Sequence, residues 1–237
     1  MKDQNKIIKL SNSLKNTLTD SNLQEVTIDL AETFTDSFLD NGLIKDIPIL
    51  GTIIGLTKAS INLNERLLIK KLIYFLAELK DIELQKRQKL INEIDFSEKH
   101  KINIGEKLLY IIDKCDDHIT ARYTAIFFTA FLNEEISYSE FLRGSTIIQK
   151  LFIHDLEEFI ITDSKKLERK INNYNSGLSD FEYSLINVGI CGTETEPISV
   201  RDQDDYKIQE KYKVDGGDLH LYLTDIGRTL KTYLHSE

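Results

Sequence analysis

Helix breakers are scarce along this chain. Two prolines and eleven glycines are spread over 237 residues. A sequence so poor in both favours long helices over many short strands. The apolar residues carry the matching period. Leu23, Val26, Leu30, Phe34 and Phe38 fall at steps of three and four, so they share one helix face. Residues 7–40 are therefore read as two helices joined near Ser21, the second ending at Asn41-Gly42.

The next stretch is the most apolar. Asp46 is placed to cap a helix that carries Pro48 in its first turn, where a missing N–H costs nothing. Gly51, Gly55 and Ala59 then fall at i, i+4 and i+8. They form a smooth stripe of the kind that lets a second helix approach closely. Asn62 followed by Glu65 resembles a capping box and predicts a new helix through Leu68, Leu72, Phe75 and Leu79. A charged helix is expected from Asp81 to about Ile94, with Lys86, Arg87 and Lys89 on a solvated face. Ser97 is a candidate cap for a helix through Leu108 and Ile112, and another helix covers residues 118–131. Ser137 and Glu140 make a second capping box. The helix it opens is predicted to run unbroken through Phe152 to Ile160, with a polar helix over 164–173 after it.

The texture changes after Gly177. A short helix over 180–188 precedes an acidic loop, TETEPISVRDQDD. Residues 206–214 and 219–223 read as two strands flanking Asp215-Gly216-Gly217-Asp218, a hairpin signal. Thr224 caps a last helix. The fold class is thus mainly α: a helical bundle domain over residues 1–176, then a small α+β module with a β-hairpin over 177–237. The order helix, acidic loop, hairpin, helix resembles a winged-helix module.

Composition narrows the chemistry. Hydrophobic residues at 41% and charged residues at 29% are those of a globular chain. The net charge is −9, which repels phosphate backbones, so nucleic acid is not expected as a partner. The helix over 180–188, which would enter a DNA groove, has no Lys or Arg. Cys115 and Cys191 are far apart and form no CxxC pair, which fits a reducing, cytoplasmic setting. The first sixteen residues hold no apolar core of signal-peptide length.

No catalytic, cofactor or metal residue is assigned. The chain has no G-x-S-x-G, and Gly51 to Gly55 lacks the G-K-[ST] ending of a phosphate loop. Asp113, Asp116, Asp117 and His118 match no zinc or calcium spacing and read as helix-terminal acids. His154 reads as a residue at the edge of the core.

The stretches IPILGTIIGL, RLLIKKLIYFLAEL, GEKLLYIIDKCDD and NEEISYSEFLRGSTII resemble a group of poorly characterised bacterial proteins associated with mobile elements and phage defence. The helices from Leu67 to Phe159 are similar in pattern to the tellurite-resistance TerB type, without its acidic metal-binding residues. The resemblance implies a bacterial, non-enzymatic binding or regulatory protein. A protein partner, or self-association, is expected. Contact is expected through the acidic loop, with Glu194, Glu196, Asp202, Asp204 and Asp205, and through the wing. Two alternatives stay open: a membrane-perturbing effector that uses residues 47–76, and a winged-helix DNA-binding regulator.

Overall fold

The computed structural model describes residues 2–23, 43–56, 61–95, 103–171, 177–202 and 212–235. Two compact units emerge, Met1–Gln149 and Lys150–Glu237. The expected domain boundary at 176/177 therefore falls inside the second unit. The second helix of residues 7–40, together with Ala59 and Ser97, lies outside the described residues.

The first unit contains α1 (Lys2–Leu18), α2 (Leu43–Asp46), α3 (Pro48–Leu56), α4 (Leu63–Ala77), α5 (Leu84–Asp95), α6 (Ile104–Lys114), α7 (His118–Leu132) and α8 (Tyr138–Lys150). Local chemistry fixes the helix starts. The Asn62 side chain accepts from the Glu65 N–H at 2.9 Å, and the Glu65 carboxylate accepts from the Asn62 N–H at 3.1 Å. Ser137 and Glu140 exchange the same pair of bonds. Asp117 caps α7 by accepting from the Thr120 N–H at 2.7 Å. Each such cap removes an orphan donor and contributes about 1 kcal/mol.

Helix α4 packs along α7, while α1 packs on α3 and α6. Between α4, α7 and α8 lies a cluster of Phe75, Phe128, Phe131, Tyr138 and Phe141, whose neighbouring ring centroids are 5.0–6.2 Å apart. Every one of these side chains is buried, and each buried aromatic contributes roughly 2 kcal/mol by leaving water.

Small residues allow close helix approaches. A Cβ on Gly105 would lie 2.2 Å from the Ser11 carbonyl oxygen, where α6 crosses α1. One on Gly144 would lie 2.1 Å from Cε1 of the buried Phe127 ring.

Arg87 departs from expectation. It is not on a solvated face but 1% exposed. Its guanidinium donates to the carbonyls of Leu18 at 2.6 Å, Ile82 at 3.1 Å and Asp20 at 3.2 Å. Arg87 falls in the same helical phase as the buried Leu90, Ile91 and Ile94, so it points inward and ties the end of α1 to the start of α5. Burial pushes its guanidinium down from the usual value, and the charge of Asp20 pushes back.

The second unit contains α9 (Ile153–Ile161), a 3-10 turn (Ser164–Lys166), β1 (Arg169–Ile171), α10 (Asp180–Val188), β2 (Cys191–Thr195), β3 (Ser199–Asp202), β4 (Tyr212–Asp215), β5 (Leu219–Leu223) and α11 (Asp225–Leu234). The single helix expected from Ser137 to Ile160 is two helices. Phe152 takes an extended ψ of 134° between α8 and α9. The polar helix expected over 164–173 is the 3-10 turn followed by β1. Here the ladder to β5 decides over local propensity, since Arg169, Lys170 and Ile171 pair with Leu221, His220 and Leu219. That pairing also carries the second unit back past residue 177.

A three-stranded antiparallel sheet has the order β1-β5-β2, and a two-stranded one joins β3 to β4. The sheet is covered on the side of Cys191, Leu221 and Leu223, all buried. Ser179 and Glu182 form a capping box that starts α10, and Gly189 ends it with φ 86°, a conformation in which a Cβ would be strained. Thr224 caps α11. From α11, Lys231 donates to the carbonyls of Phe159, Ile160 and Thr162 and closes the end of α9.

Candidate interaction ribbon

The expected hairpin at residues 215–218 is not a turn between paired neighbours. Strand β4 pairs with β3, and β5 pairs with β2. Thr195 is opposite Leu219 and Ser199 is opposite Asp215. Three residues intervene on each arm, so the register passes through without a slip. β2 and β3 thus form one arm of a long ribbon, and β4 and β5 form the other. Much of the expected acidic loop is strand, and Gly216-Gly217 is an elbow within an arm.

The elbow is firmly built. The Glu196 N–H donates to the Asp218 carbonyl at 2.9 Å, and the Gly217 N–H donates to the Glu196 carbonyl at 3.2 Å. Gly216 and Gly217 have φ of 92° and 84°, and a Cβ on Gly216 would lie 2.1 Å from the Pro197 carbonyl oxygen. Lys170 spans the elbow, reaching Glu196 at 3.0 Å on one arm and Asp218 at 2.8 Å on the other. His220 Nε2 adds a contact to Glu196 at 2.8 Å. Bonds from Lys170 and then His220 hold the Glu196 carboxyl below its ordinary range.

Beyond the elbow the ribbon has two unlike faces. Successive residues of a strand alternate sides, and directly paired residues share one. Ser199 and Asp215 share a side with Arg201 and Lys213. That side is polar, with Asp215 held by Arg201 at 2.8 Å and by Lys213 at 3.2 Å. On the other side Val200 is directly opposite Val214, and Tyr212 follows along β4. Ile198 stands at the foot of β3. These four are exposed by 68% (Ile198), 61% (Val200), 55% (Tyr212) and 63% (Val214).

In the base sheet the buried residues are Cys191, Leu221 and Leu223, which share a side with Thr193 and Thr195. On the other side of that sheet Glu194 and Tyr222 are exposed.

The five expected contact acids are not equivalent. Glu194 is exposed on β2, while Glu196 is engaged inside the elbow. Asp202 ends β3 opposite Tyr212, and Asp204 and Asp205 lie outside the described residues. The apolar side, Ile198, Val200, Tyr212 and Val214, was missed as a site. Its signal was present in the sequence as alternation within ISVRD and YKVD.

The glycine stripe is divided. Gly51 makes a close approach, a Cβ there lying 2.6 Å from the Lys45 carbonyl oxygen of α2. Gly55 is exposed, and among the described residues a Cβ there would meet nothing within 4 Å. Tight approaches outside the stripe run through Gly105 and Gly144. Among the described residues no helix is long and apolar enough to cross a membrane.

Elsewhere, chemistry is sparse. Both cysteines are buried. Burial pushes the Cys115 thiol up to about 11 and the Cys191 thiol up to about 12. His118 packs its ring on Tyr74 at 4.5 Å, and burial with the nearby Lys70 lowers its pKa. His154 is exposed rather than at the edge of the core. Among the described residues no three of His, Cys, Asp and Glu are gathered to hold a metal ion. Thr17, Asp20, Asn22, Asp46 and Pro48 border a cavity of about 290 Å³. The Thr17 hydroxyl there is already engaged, donating to the Ser13 carbonyl and accepting from the Ile49 N–H.

Comparison with protein-family models, with curated proteins and with solved structures found no match to this chain.

Proposed function

We propose that this chain is a non-enzymatic protein-binding module of a bacterial cell, acting in a regulatory setting such as defence against phage, and that it engages a protein partner through the ribbon. The observation that carries the reading is the exposed apolar side formed by Ile198, Val200, Tyr212 and Val214. An isolated two-stranded ribbon is marginal in water, and apolar side chains clustered on an open surface mark contact sites. The firm elbow supports the same reading, because a preset ribbon loses less freedom on binding.

Other readings draw less support. The membrane reading needs residues 47–76 as one apolar unit. That stretch is divided between α3, of nine residues, and α4, of fifteen. Nine helical residues reach roughly 14 Å against a hydrocarbon core of about 30 Å. A DNA reader would need basic residues on α10, whose sequence is DFEYSLINV. A thiol enzyme would need an accessible thiolate, and both thiols are held protonated by burial.

The test is photo-crosslinking in a bacterial host. A benzophenone amino acid replaces Tyr212 in one strain and the exposed Thr232 of α11 in another. A discrete protein adduct from position 212, absent from position 232, is the expected result. No adduct at 212 under any growth or infection condition overturns the reading.

A further inference from the structure

We propose that the apolar side of the β3–β4 ribbon docks a protein surface made of an apolar strip rimmed by lysine and arginine. The proposal rests on the reading of the chain as a protein-binding module and names the chemistry of its partner.

The apolar side is open: Ile198, Val200, Tyr212 and Val214 are each more than half exposed. No third strand joins β3 and β4 among the described residues. Among the described residues of the second unit none buries Val200 and Val214, which are directly paired and both mostly exposed.

Charge selects the occupant. Residues 191–223, from the start of β2 to the end of β5, carry eight Asp or Glu and four Lys or Arg. Arg201 and Lys213 pair with Asp215 on the polar side. Asp202, directly opposite Tyr212, stands on the apolar side itself, and Glu194 is exposed on β2. With the acidic excess of the segment, these set up a field that attracts a basic rim. A second copy brings the same excess of acids, in a chain whose net charge is already −9. An anionic membrane surface or a nucleic acid is repelled by the same charge.

The test uses the full chain and two synthetic strand peptides of alternating sequence, one Leu-Lys and one Leu-Glu, followed by fluorescence anisotropy. The Leu-Lys peptide is expected to bind and the Leu-Glu peptide to bind at least tenfold more weakly. Val200→Thr with Val214→Thr keeps the β-branched shape, and is expected to weaken Leu-Lys binding at least tenfold. Tyr212→Gln serves as an independent variant with the same expectation, and Lys213→Gln, on the polar side, is expected to change binding less than twofold. Equal binding of both peptides, or unchanged binding by the double variant and by Tyr212→Gln, overturns the proposal. Sedimentation equilibrium supplies the other arm. A dimer dissolved by Val200→Thr with Val214→Thr overturns the basic partner in favour of a second copy, and leaves the protein-binding reading standing. Absence of any crosslink at position 212 defeats that broader reading instead, so the two failures are told apart.

Discussion

Replacing Arg87 by Met would remove a buried cation and leave its three acceptors in place. The Leu18 and Ile82 carbonyls receive bonds from a guanidinium that is 1% exposed, and the Asp20 carbonyl is part-buried. A buried acceptor left without its donor costs about 1–3 kcal/mol. Two such carbonyls, with a smaller cost at Asp20, give roughly 3–5 kcal/mol before compensation. Met refills most of the aliphatic stem, so the cavity cost is small. The substitution also relieves the desolvation that pushes the guanidinium's pKa down. The net loss is expected near 2–3 kcal/mol. For a domain of this size that lowers Tm by about 4–12 °C. Arg87→Lys keeps the charge but not the planar fork, and is expected to lose about half as much. Urea unfolding followed by far-UV circular dichroism gives the magnitude, and amide hydrogen exchange gives the place, with protection lost first where α1 ends. A change below 0.5 kcal/mol for Arg87→Met, or exchange unaltered in α1, would refute the clamp.

Four further outcomes are expected. Gly144→Ala drives a methyl into the Phe127 ring and should cost about 1–3 kcal/mol in the same urea assay, whereas Gly55→Ala should be neutral or stabilising by about 0.5 kcal/mol. Neither Cys115 nor Cys191 should react with a thiol reagent at pH 8 over minutes, and both should react once urea unfolds the chain, since burial holds their thiols near 11 and 12. Burial pushes Glu182 up, but bonds from Arg169 at 2.8 and 2.9 Å and from Ser179 outweigh it, and its carboxyl titrates below the ordinary value. A depressed carboxyl contributes stability above its unfolded pKa and loses it as pH falls through the folded one, so Arg169→Gln should lower stability at pH 7 and much less at pH 3. Lys231→Met should unprotect the last amides of α9 and cost about 1–2 kcal/mol, read by hydrogen exchange and thermal melting.

The helical half was largely legible from sequence because its signals are local. Asn62 with Glu65, and Ser137 with Glu140, each announce a helix start within four residues, and the structure contains both boxes. Mainly helical architecture with short C-terminal strands followed from the same signals. What escaped depends on distant partners. Nothing in RKI marks a strand until β5 lies beside it. Asp215-Gly216-Gly217-Asp218 has hairpin chemistry, yet the register of β2 on β5 and β3 on β4 uses those glycines as an elbow. Arg87 reads as surface by composition but falls in phase with Leu90 and Ile94. The acids of the expected contact loop were visible, but not the fate of Glu196, since Lys170 lies far before it in sequence.

The alternation beyond the elbow also sets a rule for how this ribbon can change length. Side chains alternate with a period of two. Two residues added to or removed from both arms next to the elbow keep Val200 opposite Val214 and leave both on their original side. One residue added to each arm turns the apolar strip to the opposite side and brings Arg201 and Lys213 in its place. A change in one arm alone breaks the pairing of Val200 with Val214. The ribbon is thus free to lengthen or shorten by matched even steps, and its binding side survives only within that frame.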